Sequence, residues 1–67
     1  MSQEEIKLRI EASLKLLEKI EKDLVEAYER TPAYFTVKPY VQRALRNLKN
    51  LKKIVEELDS FISSHEF

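Results

Sequence analysis

The side chains that could carry chemistry are few, and their spacing suits little of it. One histidine, His65, stands beside Ser60, Ser63 and Ser64 near the C-terminus, and cysteine is absent. Nucleophilic catalysis needs a hydroxyl or thiol held against a base that a third group orients. Serines crowded against a lone histidine at a helix end offer no such relay. General acid–base work needs paired titratable groups in a cleft, whereas the carboxylates here fall on solvent-facing positions of helical stripes. With no glycine there is no phosphate-cradling loop, and one histidine without cysteine leaves no transition-metal ligand set. The expectation is a non-enzyme with no cofactor, no metal and no small-molecule ligand.

Two groups remain that could recognise a partner. Arg43, Arg46, Lys49 and Lys53, with Asn50, share the side of one helix opposite its apolar stripe. From Thr31 to Val55 there are six bases and no acid. Such a stripe could contact phosphates or an acidic protein. Twelve bases balance twelve acids over the chain, so the uncompensated field that drives strong nucleic-acid binding is missing. A nucleic-acid-associated regulator is therefore the alternative reading. Internal pairing with Glu18, Glu21, Asp23, Glu26 and Glu29 accounts for the bases more simply. The second group is aromatic: Tyr28, Tyr34, Phe35 and Tyr40 gather around one short segment. Tyr28 and Tyr40 are expected to close a bundle end, with Phe35 stapled to Tyr40. Tyr34, with Phe35, is expected to offer an exposed loop contact.

The elements that position these groups are two long helices. Ser2-x-x-Glu5 is a capping box, and Glu4 and Glu5 suit the positive end of a helix dipole. Helix 1 is predicted over about residues 3–30, with its stripe on Ile6, Ile10, Leu14, Leu17, Ile20, Leu24 and Tyr28. Pro32 ends it, because the residue before a proline leaves helical geometry. A connection over 31–36 follows, and helix 2 is predicted over about 37–64, with Thr36 as the preferred N-cap. Lys38 as N-cap with Pro39 in the first helical position is the competing register. In helix 2, Val37, Val41, Ala44, Leu48, Leu51, Val55, Leu58 and Ile62 hold unbroken coiled-coil spacing.

So short a connection makes the helices antiparallel neighbours. The fold class is all-α: an antiparallel two-helix hairpin forming a single domain over residues 1–67. Both helices carry more apolar width than one partner helix can cover. Tyr40, Ile54 and Phe61 flank the helix 2 seam, and Leu8, Ala12 and Leu16 form a second ridge on helix 1. These six are the expected protein interface. The hairpin is then completed as a four-helix bundle, by dimerisation with a second copy or by a larger protein. Sixty-seven residues lie near the lower limit for a self-sufficient core, which points the same way.

No run of apolar residues is long enough to span a membrane, and the chain reads as cytoplasmic. The segment Glu57-Leu58-Asp59-x-x-Ile62 resembles part of the signature of the small helical-hairpin aspartyl-phosphate phosphatases of the sporulation phosphorelay. The resemblance is confined to residues 57–62. Val55-Glu56 stands where that family has Ser-Gln, and both helices look longer than that family's. It implies a third reading, a regulator or phosphatase of a phosphorylated protein. The leading expectation is a small protein–protein interaction module or accessory subunit.

Overall fold

The computed structural model describes residues 2–64, so the His65 considered above lies outside them. Two helices make up the hairpin, α1 over Gln3–Arg30 and α2 over Lys38–Ser64. At the start of α1, Ser2 is extended (φ −73°, ψ 159°) and its Oγ accepts the Glu5 N–H at 3.2 Å. The Ser2 carbonyl accepts the Ile6 N–H at 3.1 Å, so side chain and backbone together start the helical ladder. Ser2→Ala is expected to cost about 1 kcal/mol, read as an earlier urea midpoint with the slope unchanged.

At the other end of α1, Thr31 is extended at ψ 120°, as the residue before Pro32 should be. With no glycine to make a left-handed cap, the last carbonyls find another solution. The Thr31 N–H donates to the Tyr28 carbonyl at 3.3 Å, and its Oγ1 donates to the Ala27 carbonyl at 2.6 Å. The connection then folds as successive turns, with Phe35 N–H to the Pro32 carbonyl at 3.0 Å and Lys38 N–H to the Phe35 carbonyl at 3.2 Å. The Val37 carbonyl accepts from Tyr40 and Val41, so the residue just ahead of α2 is Val37 and not Thr36. Pro39 falls within the first turn, where its missing N–H removes no ladder bond.

The helices pack antiparallel over their whole length as a rod of 54 × 15 × 15 Å. The Gln3 side chain donates to the Ile62 carbonyl at 3.2 Å, tying the start of α1 to the end of α2. The core is thin: among the described residues Ile10, Leu17 and Leu48 are the buried hydrophobic ones, and none is completely enclosed. Among the described residues no helix is long and apolar enough to cross a membrane.

Candidate protein-docking face

Which residues of α2 meet α1 follows from burial along the helix. Lys38, Val41, Leu45, Leu48, Lys52, Val55, Asp59 and Ile62 are all buried or half-buried. They repeat at alternating spacings of three and four, a complete coiled-coil seam. On α1 the matching inner row is Gln3, Lys7, Ile10, Leu14, Leu17, Glu21, Leu24 and Tyr28, likewise buried or half-buried. The seam expected from sequence therefore splits. Val41, Leu48, Val55 and Ile62 face α1, but Val37, Ala44, Leu51 and Leu58 do not. Val37, Leu51 and Leu58 keep 47 to 49 % of their surface exposed, against 8 % for Leu48.

The displaced residues join the flanking row to make a second seam. Val37, Tyr40, Ala44, Asn47, Leu51, Ile54, Leu58 and Phe61 repeat at the same alternating spacing, and every one is exposed. Seven of these eight are apolar or aromatic. Helix α2 thus carries two complete seams about a quarter-turn apart, one spent on α1 and one open.

Polar contacts identify the side of the hairpin that is already closed. The Lys38 ammonium lies 4.4 Å from the centre of the Tyr28 ring, and Lys52 Nζ lies 3.8 Å from Glu21 Oε1. Both contacts join the same edge of the two inner rows. In an antiparallel pair the opposite edges of the two helices also share one side. That side holds the open seam of α2 together with Ile20 and Leu16 of α1. The Lys38 contact also explains a base in the first turn of α2, against the dipole: its charge sits on an aromatic face.

Of the expected interface residues, Leu16, Tyr40, Ile54 and Phe61 lie on the open side. Leu8 and Ala12 fall on the back of α1, where Leu8 stands exposed in a shallow hollow with Glu4, Lys7 and Glu11. Tyr28 is half-buried at the bundle end, as expected, but Tyr40 is 66 % exposed and closes nothing. The reason is which row meets α1: with Lys38 and Val41 turned inward, Tyr40 falls on the open seam. Phe35 makes an edge-on contact with Tyr34 at 4.9 Å, and Tyr34 stands clear at 81 % exposure.

The basic residues divide too. Arg43 lies over the Tyr40 ring, its guanidinium carbon 5.5 Å from the ring centre, at the rim of the open seam. Arg46 and Lys49 line a shallow hollow of about 310 Å³ with Tyr28, Gln42 and Leu45, on the far side. Lys53 is exposed on the back of α2. Of the five acids expected to pair with these bases, Glu21 meets Lys52, while Glu26 pairs within its own helix with Arg30 at 2.9 Å. The acidic residues of segment 57–62 diverge: Glu57 is exposed at the rim of the open seam, and Asp59 is half-buried in the inner one. Asp59 Oδ1 is enclosed and has no hydrogen-bond partner among the described residues. No three of the described Asp and Glu residues come together as metal ligands.

The class these observations define is an all-α helical hairpin with one open apolar face. Set against protein-family models, curated proteins and solved structures, the chain shows no match.

Proposed function

We propose that the protein is a small, non-enzymatic interaction module or accessory subunit, working in the cytoplasm through the open face of α2. The observation that carries this reading is the second seam: a full-length row of exposed Val, Tyr, Leu, Ile and Phe at coiled-coil spacing. Exposed apolar patches of this extent on a small chain mark surfaces that bind protein. The contribution is greatest where aromatic anchors sit among aliphatic residues with arginine at the rim, the arrangement of Tyr40, Phe61 and Arg43. A four-helix bundle is the natural completed form, because each hairpin supplies two adjacent helices with one face unfilled.

The double variant Leu51→Glu/Ile54→Glu tests the reading. Both residues are exposed in the hairpin, so helix content should survive. Wild-type chain should associate with itself in sedimentation velocity, or retain a defined protein from its own host's lysate, and the double variant should do neither. A folded wild-type monomer that retains nothing the variant fails to retain would overturn the proposal.

A further inference from the structure

Resting on that docking face, we infer that its occupant is a second copy of this chain, with α2 packed antiparallel against α2 of the second copy across a two-fold axis that passes between Asn47 and Leu51. Three observations lead there.

The first is which helix supplies the apolar surface. On the open side α2 presents an almost wholly apolar row, while the matching rows of α1 include Arg9, Ser13 and Asp23. Setting α2 against α1 of a second copy would press the charges of Arg9 and Asp23 into Leu58 and Ala44, at the cost of desolvating them. Setting α2 against its own copy keeps charge out of the α2 seam and leaves Arg9 and Asp23 to the contact between the two α1 helices.

The second is register. Antiparallel pairing of the open row over its full length joins Val37 to Phe61, Tyr40 to Leu58, and small Ala44 to large Ile54. Asn47 meets Leu51 next to the axis, so the one polar residue of the seam lies within a helical turn of its own counterpart, where the two amides can reach each other. The overlap runs about 36 Å by the helical rise. Two hairpin faces of that length and about two helices wide bury roughly 1,400 Å² in total, within the range of stable interfaces.

The third is charge at the rim. Arg43 stands at one end of the outer flank of the open seam, Glu57 at the other, and Asn50 midway. In the same register Arg43 faces Glu57 of the second copy, twice by symmetry, and Asn50 faces its own counterpart. The Tyr40 ring holds the Arg43 side chain along this rim. The inversion of charge along α2, basic first and acidic last, runs against its dipole. Antiparallel self-pairing gives that inversion a use.

Charge exchange in the full chain, followed by sedimentation equilibrium, tests the pairing. Arg43→Glu alone and Glu57→Arg alone each set like charges together, and each should weaken self-association by roughly tenfold or more at low salt. Mixed in equal amounts, the two variants should form a heterodimer tighter than either homodimer, since both rim pairs become attractive again. Asn50→Cys, in a chain without cysteine, should oxidise readily to a disulfide-linked dimer, while Ser60→Cys on the far side should not. A wild-type monomer at high concentration overturns this inference and leaves the docking face to a different protein. A dimer with no charge rescue and no Asn50→Cys cross-link also overturns it, while the docking face itself stands.

Discussion

Leu48→Ala is expected to lower the unfolding free energy by about 2–4 kcal/mol. Leu51→Ala, one turn further along the same helix, should change the dilute chain by less than about 0.5 kcal/mol. The two leucines belong to one sequence stripe and differ only in what the hairpin does with them. Leu48 is 8 % exposed and belongs, with Ile10 and Leu17, to the thin core. Truncating it removes apolar contact and leaves a hole that two helices cannot easily close. Leu51 points along the open side and loses little in the isolated hairpin. Because a chain of this size holds only a small margin of stability, the first variant should be largely unfolded under conditions where the second is intact. Urea titration followed by circular dichroism at low protein concentration measures both. Equal losses would refute the division of α2 into an inner and an open row.

That division marks the limit of what the sequence disclosed. The helices themselves were legible because their punctuation is chemical: Ser2 with Glu5 opens one, and Pro32 closes it. Period alone could not choose the seam. In α2 three adjacent rows are mostly apolar, and any two neighbouring rows read as coiled-coil spacing. The choice rested on the fourth row, in which Lys38, Lys52 and Asp59 look like surface residues but lie half-buried toward α1. Tyr28 and Glu21 on the facing helix explain the two lysines, by receiving them. Such cross-helix partners are invisible until the two chains of residues are set side by side. The surplus apolar width was readable from sequence; its position a quarter-turn from α1 was not. Leu8 and Ala12 show the converse error. Their regular spacing on α1 suggested a groove, yet a ridge stepping by four residues drifts around the helix, and it carries them to the back before Leu16 and Ile20 reach the open side.

The second large effect concerns concentration. If two hairpins fold as one four-helix unit, unfolding releases two chains, and mass action makes the melting temperature rise with protein concentration. For a two-chain unit of this size, each tenfold increase should raise the midpoint by about 5 °C. Leu51→Glu/Ile54→Glu should abolish the dependence, because four glutamates would meet across the seam and the apolar contact around the axis would be lost. Its midpoint should then match that of the wild-type chain at high dilution, since neither residue faces α1. The comparison separates the open seam from the inner one in a single pair of melts. A wild-type midpoint that does not move with concentration, while Leu48→Ala still unfolds the chain, would show that one seam suffices for folding and that the open row serves a partner other than itself. A concentration dependence that survives both glutamates would place the self-association on another surface, with the exposed Leu8 and Ala12 at the back of α1 as the next to be substituted.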